Sequence, residues 1–439
     1  MKPMISNRIT TMTCLAAAAL LGMGCSSSSF NQTTPPPAAV DSGGTGGSDA
    51  TATTGPSDNG TGSTTSDAGG TGLDTSQPPV QGANVCNDAK ACPGNRICAD
   101  GVCVPAPTDM EEAVLTDNCH GKECSVETIA EPVDVSCANL KLAAPAGPAT
   151  TTMYGIVDRF GSGLKTFPVE VAVFKASEWP PANCVSLPMK EQRECIRTAK
   201  SPWTATSTDP TAPNPTVPAS CVHHVDCPAG YECIEDANGE NPNKCDPQWG
   251  HYSIDGVPTN TLLVVRSKSA SASVEKKWRD AYVVGIYLYA DRVKDGRYRS
   301  NALMVSDAQW KQTPSLLAVG SIQPGLAAVG GRVRDCGTAS RKSLAVGHSS
   351  IDLARPGETA YRVGYFNDNE EDTVPINART TSDIFGRFVA VNVPPGPNRI
   401  GAAAKVGGNV KSLGAEDIYV VPDSLLIVAF PGKDPVLNK

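Results

Sequence analysis

The sequence predicts a mainly β protein: two tandem seven-stranded-type β-sandwiches with small disulfide-rich modules, all following a disordered N-terminal tether. Three observations carry that expectation. Eight of the sixteen cysteines fall in two sets whose first two intervals match, two blocks share a pattern of short β-type runs, and the stretch Ser26–Gly82 contains almost no large apolar side chain. Aromatic residues make up 5% of the chain beside 41 glycines and 36 prolines, a balance that suits a loop-rich, cross-linked β scaffold. The net charge of -8 comes without any Lys/Arg stripe, which excludes nucleic acid as a partner.

Residues 1–24 read as a signal peptide. Lys2 and Arg8 form a basic start, and the apolar run Cys14–Met23 is too short to span a bilayer. The join Leu20-Leu21-Gly22-Met23-Gly24-Cys25 resembles the lipobox of bacterial lipoproteins, with Leu21 one place further from the cysteine than the family pattern has it. The resemblance implies lipidation of Cys25. Simple cleavage after Gly22-Met23-Gly24 would start the mature chain at the same residue, but it leaves an odd number of thiols. With Cys14 removed and Cys25 acylated, fourteen of the sixteen cysteines remain, an even set suited to an oxidising compartment.

Residues 25–83 are Ser, Thr, Gly, Pro and Asp, too polar to offset the entropy of ordering them. Such a coil reaches about 40 Å by square-root scaling, enough to lift a domain clear of a membrane surface. Residues 84–145 hold a cysteine-rich module and an irregular cysteine cluster. In the module, Cys86, Cys92, Cys98 and Cys103 stand at intervals repeated by Cys221, Cys227 and Cys233, with Cys245 closing the second set. Each segment lacks the apolar mass to fold without cross-links. Four cysteines allow three pairings, and spacing does not choose among them. The two sets resemble short cysteine-rich modules of secreted bacterial proteins and, more remotely, the Dickkopf-type cysteine-rich fold. His223 and His224 sit between Cys221 and Cys227, a mixture zinc accepts, but structural zinc sites favour Cys-x2–4-Cys pairs. Disulfides are therefore expected, with no metal and no cofactor. Cys184 and Cys195 are placed to pair locally. That leaves Cys119, Cys124 and Cys137 with Cys336, so one long-range bridge is expected between Cys336 and this group.

The first sandwich is assigned to 146–324 and the second to 325–439. Gly250-His251-Tyr252 followed by Val257-Pro258 matches Gly386-Arg387-Phe388 followed by Val393-Pro394 at identical intervals. Tyr154-Gly155-Ile156-Val157-Asp158 opens one block and Val329-Gly330-Gly331-Arg332-Val333-Arg334-Asp335 the other. The runs Val169–Phe174, Leu262–Arg266 and Tyr282–Tyr289 have the β-branched and aromatic enrichment of buried strands. An opening Gly-x-Val-x-Asp strand, a later Gly-x-aromatic and a Val-Pro turn resemble the carboxypeptidase regulatory-like, or transthyretin-like, sandwich. The resemblance covers roughly 146–269 and 325–431, and implies a non-catalytic accessory or adhesive module with no catalytic residues to carry over.

Gly155 to Gly250 spans 95 positions against 55 from Gly331 to Gly386, so about 179–247, holding the second cysteine module, is an insertion in the first sandwich. Pro202, Pro210, Pro213, Pro215 and Pro218 make its approach stiff. It is either a binding projection or a tolerated decoration. Downstream, Ser306-Asp307-Ala308-Gln309 has the form of a capping box, predicting a short helix whose Trp310, with Leu316-Leu317, plugs the end of a sandwich. The acidic run Asp368-Asn369-Glu370-Glu371-Asp372 lacks the alternating ligands and tight Gly turn of a calcium loop and reads as a solvated loop.

Catalytic patterns are missing. Gly347-His348-Ser349-Ser350 is similar to a nucleophile elbow without its closing Gly, no His-Glu-x-x-His or phosphate loop occurs, and five histidines leave little acid–base chemistry. An enzyme of transthyretin-like fold, hydroxyisourate hydrolase, carries a Tyr-Arg-Gly-Ser motif that this sequence does not contain. The expected function is therefore that of a lipid-anchored protein of the bacterial outer membrane or cell surface, working by binding, adhesion or assembly. Its partners would be the membrane, through the lipid, and a protein or glycan of the envelope. The alternatives are an accessory subunit of an envelope hydrolase or peptidase, or a carbohydrate binder using Trp179, Trp203 and Trp249.

Overall fold

A computed structural model describes residues 84–87, 90–116, 126–128, 133, 144, 146–159, 168–208, 221, 227, 231–234, 244–247, 250–270, 278–336, 343–357, 360–369 and 374–431. In chain order, the first cysteine module is the hairpin β1 (Arg96–Ala99) and β2 (Val102–Pro105), followed by β3 (Val114–Thr116) and β4 (Val126–Thr128). The hairpin turns on Asp100-Gly101, both at positive φ (42° and 91°), the pairing a two-residue primed turn demands. Next come β5 (Thr150–Arg159), β6 (Val169–Lys175), two helices α1 (Ala182–Val185) and α2 (Met189–Thr198), and β7 (Trp203–Thr206). The second cysteine module supplies β8 (Tyr231–Ile234) and β9 (Lys244–Pro247). Then follow β10 (His251–Pro258), β11 (Leu262–Ser269), β12 (Trp278–Arg279), β13 (Ala281–Tyr287), β14 (Arg297–Arg299), β15 (Ala302–Ser306) and α3 (Asp307–Leu316). The C-terminal block contributes β16 (Ala327–Arg334), β17 (Ala345–Gly347), β18 (Ser350–Leu353), β19 (Arg362–Phe366) and β20 (Pro375–Ile376). It ends with β21 (Arg387–Val393), β22 (Gly396–Val406), β23 (Asn409–Val420) and β24 (Leu425–Pro431).

A long sheet in the order β20-β19-β21-β16-β24-β13-β11-β6-β7 forms the spine, with β17, β3 and β4 added beside β16. A sheet built on β10-β5-β15-β12 covers one of its faces, and the three-stranded sheet β18-β22-β23 covers the other. Side-chain alternation explains how one sheet serves two cores. Val171, Val173, Val265, Val283 and Ile427 pack with Met153, Tyr252 and Met304 on the first face. Ala172, Phe174, Val264, Tyr282 and Val428 turn the other way, toward Trp179, Ile196, Ile351 and Ile400. Strands buried on both faces read as near-continuous apolar runs, as Val169–Phe174 and Leu262–Arg266 do.

The molecule is thus mainly β, in several sheets with disulfide-rich modules. What the sequence does not disclose is that the two sandwiches share a strand system. The last strand, β24, runs parallel to both β16 of the second block and β13 of the first. Its alternating Leu425/Ile427 and Leu426/Val428 supply both cores.

The internal repeat is realised residue by residue. In the first block Tyr252 lies opposite Gly155, and in the second Phe388 lies opposite Gly331. Both glycines are required by neighbouring backbone on the other side, the β14–β15 link at Gly155 and β24 at Gly331. A Cβ on Gly155 would stand 2.4 Å from the Ser300 carbonyl oxygen, and one on Gly331 would stand 1.8 Å from that of Val428. Gly250 and Gly386, which lead into the matched strands, both take positive φ, at 69° and 65°. The expected capping box also forms in part, since the Gln309 amide donates to Ser306 Oγ at 3.2 Å. Trp310 and Leu317 are buried, Trp310 in the first core and Leu317 against Phe366, Val389 and Val391.

Candidate functional site

The two cysteine modules adopt one connectivity, first to third and second to fourth. Cys86 pairs with Cys98 and Cys92 with Cys103; Cys221 pairs with Cys233 and Cys227 with Cys245. Cys184 and Cys195 close the α1–α2 hairpin. Cys336 is also disulfide-bonded. Every other described cysteine is used in these five bridges, so the partner of Cys336 lies outside the described residues. Sulfurs bridged in this way offer no thiolate to zinc. Cys25, Cys119, Cys124, Cys137, His223, His224, Trp249 and Glu370–Asp372 lie outside the described residues.

The first module does not stand alone. Ala99, Val102 and Val104 pack on Ala354, Ala403 and Ala415, on the outer face of the three-stranded sheet. Small residues let the layers approach closely: a Cβ on Gly401 would lie 2.9 Å from Val102 Cβ. Arg96 fixes the docking. Its Nη2 donates to the Cys103 carbonyl at 2.7 Å and forms an ion pair with Asp352 on β18. Asn84 Nδ2 donates to the same carboxylate at 3.1 Å, and the Tyr361 hydroxyl donates to its other oxygen at 2.8 Å. Burial raises the pKa of Asp352 above the ordinary carboxylate value, although Arg96, the Leu353 amide and Tyr361 pull against it. Behind this point the Ala113 amide donates to the Lys405 carbonyl, and His348 holds the Glu112 carbonyl through Nδ1 at 2.8 Å and Glu111 through Nε2 at 3.2 Å.

Between the module and the second sandwich this docking encloses a cleft of about 580 Å³. Its walls include Arg96 and Pro107 on one side, with Asp352, Tyr361, Arg362 and Arg379 on the other. Arg379 forks onto Asp368 with contacts of 2.9 and 3.2 Å. Burial alone would raise Asp368, but Arg379 and the Ile384 amide outweigh it and hold the carboxyl below its ordinary range. Arg362 is exposed and touches the Asn377 carbonyl at 3.3 Å.

No nucleophile–base pair forms in the described residues of this cleft. Ser349, of the elbow-like run, is fully buried and its Oγ donates to the Val346 carbonyl at 2.9 Å. His348 beside it sits at a φ of 58° with both ring nitrogens engaged by the 111–112 segment. Of the three tryptophans expected as sugar contacts, the two that are described, Trp179 and Trp203, are not freely exposed. Trp179 is a core residue, 4.9 Å from Phe174 and 5.2 Å from Tyr282 between ring centres. Trp203 is half-buried, with Lys175 Nζ 6.0 Å from its ring.

Sequence reasoning missed Arg96, Asp352, Tyr361 and Arg362, because their meeting joins positions more than two hundred residues apart with no motif at either end. It also missed the α1–α2 hairpin. There a signal existed: Pro188 precedes Met189–Thr198, whose Gln192 and Ile196, four apart, are the buried pair.

No family model matches the chain, and no curated protein matches it. Among solved structures it is similar to the shaft pilin SpaA of Lactobacillus rhamnosus GG, with 10% identity over 64% of this chain and 98% of that one and a TM-score of 0.17. It is also similar to GBS52, the minor pilin of Streptococcus agalactiae, with 9% identity over 66% of this chain and 98% of that one and a TM-score of 0.15. Superpositions this loose add nothing to the architecture given by the strand pairing.

Proposed function

We propose that this chain is an exported, lipid-anchored protein of the bacterial cell envelope that binds a partner and catalyses nothing. The observation that carries the reading is the first cysteine module, cross-linked twice and clamped onto a distant sandwich by Arg96 and Asp352, so that it walls a preformed cleft in which no nucleophile–base pair forms among the described residues. Preorganised concave surfaces with a few convergent polar groups are what binding sites are made of. The matched registers at Gly155 and Gly331 support the transthyretin-like reading of both sandwiches, a scaffold whose resemblance implies an accessory or adhesive role. The described cysteines are all disulfide-bonded, which suits an oxidising compartment. Among the described residues no helix is long and apolar enough to cross a membrane; the attachment in this reading is acylation of Cys25, which rests on the lipobox-like run before it.

The test is metabolic labelling with an alkyne fatty acid, comparing the full chain with Cys25→Ser. Label and membrane recovery in the parent, both lost in the variant, are expected. An unlabelled parent recovered in the soluble fraction would overturn the anchoring, and turnover of an envelope substrate by the purified chain would overturn the non-catalytic role.

A further inference from the structure

We propose that the cleft under the first cysteine module takes an extended, acidic peptide segment, laid along the open edge of β19 with a carboxylate on Arg362. This rests on reading the chain as a binding protein and names the class of partner.

The first ground is charge. Arg96 is neutralised by Asp352 and Arg379 by Asp368, while Arg362, at the mouth of the same cleft, makes no ion pair among the described residues. Among the described residues the cleft therefore carries one guanidinium without a carboxylate partner, in a protein whose net charge is -8. A planar, always-charged fork exposed beside a preformed cavity suits a carboxylate.

The second ground is backbone. β19 pairs with β21 along Arg362–Tyr365, but its outer edge pairs with β20 at Tyr365 and Phe366 alone. Beyond that point the chain turns away at Asn377-Ala378, and no backbone hydrogen bond joins 362–364 to 377–380 among the described residues. Arg362 and Val363 line the cleft where β20 stops. An unpaired strand edge is a template for an added strand, in which main-chain bonds give affinity and neighbouring side chains give selectivity. A sugar chain would satisfy the charge but not the edge, which favours a peptide.

The test pans a phage library of random dodecapeptides against the full mature chain and repeats the selection on Arg362→Glu and Arg362→Lys. Arg362 is exposed and forms no ion pair among the described residues, so both variants should unfold at the parental temperature. Enrichment of peptides alternating Asp or Glu with β-branched residues is expected. Synthetic copies should bind about tenfold more weakly to Arg362→Glu, keep most of their affinity for Arg362→Lys, and protect 360–366 from hydrogen exchange. No enrichment, enrichment without acidic residues, or binding indifferent to Arg362→Glu would overturn the proposal. So would binding of polygalacturonate that is lost in Arg362→Glu while no acidic peptide is selected. Because the binding is read in solution, its failure leaves the Cys25 labelling result untouched, and a failed labelling leaves the peptide result standing.

Discussion

The two cysteine modules share spacing and connectivity, yet the structure uses them differently. Cys86–Cys103 is welded to the second sandwich: its apolar face packs on Ala354, Ala403 and Ala415, and its Arg96 reaches Asp352. The module of Cys221–Cys245 buries its own cysteines together, and its described link to the scaffold is Arg297 Nη1 donating to the Cys227 carbonyl at 3.3 Å. Disulfide spacing therefore dictates how such a module closes on itself, and says nothing of whether it docks. Docking is decided by which small and charged residues face outward and whether a distant sheet offers bare ground for them, as Gly401 does for Val102.

The contrast can be broken by experiment, most strongly at the bridges. Replacing Cys86 and Cys98 by serine should cost about 2–5 kcal/mol and lower the denaturation midpoint of the whole C-terminal block, since the module is part of its packing. The matching change at Cys221 and Cys233 should leave that global transition within about 0.5 kcal/mol of the parent and alter proteolysis of the module alone. Equal effects would erase the distinction drawn from the described contacts of the two modules.

Next in size is the pair of arginines. Arg96→Ala strands Asp352, which is nearly buried, and should cost about 2–3 kcal/mol, below the ~3–5 kcal/mol of a fully enclosed pair because the Arg96 side chain is 25% exposed. Arg297→Ala loses one hydrogen bond and a contact 4.1 Å above the Tyr154 ring, and should cost about 1 kcal/mol in urea unfolding. Of the same order as the Arg297 change is Gly401→Ala, whose new methyl meets Val102 and the Ala99 carbonyl; about 1 kcal/mol is expected, with faster hydrogen exchange in β1 and β2.

The smallest effect is in pH dependence, and the sign distinguishes two carboxylates of one cleft. Burial raises Asp352 in the folded state, so the native protein holds that proton more tightly than the unfolded chain does. Stability from this group is then greatest in acid and declines as pH rises from about 4 through the raised value. Asp352→Asn removes that decline, and its stability relative to the parent should improve from acid to neutral pH in a thermal-melt series. Asp368, held low by Arg379 and the Ile384 amide against its own burial, behaves oppositely: its contribution is present at neutral pH and fades as pH falls through the lowered value.

Much of the scaffold was legible because it is written in local rules. Ser306 caps its helix, and the Gly-x-aromatic repeat lands Tyr252 and Phe388 opposite Gly155 and Gly331. The shared strand β24 was not legible, since a run of Leu-Leu-Ile-Val-Ala that feeds two cores looks like any strand buried on both faces. Nor was the cleft. Its walls come from residues near 96, 352, 362 and 379, and nothing in the sequence around Arg362 marks the end of a neighbouring strand's pairing.

The most direct test of the central claim, an exported scaffold tethered by one acylated cysteine and held by disulfides, is the intact mass of the mature protein before and after reduction. A chain beginning at Cys25, heavier by its acyl groups and gaining fourteen hydrogens on reduction, is the expected result. A chain retaining residues 1–24, without acyl mass and unchanged by reductant, would contradict the account.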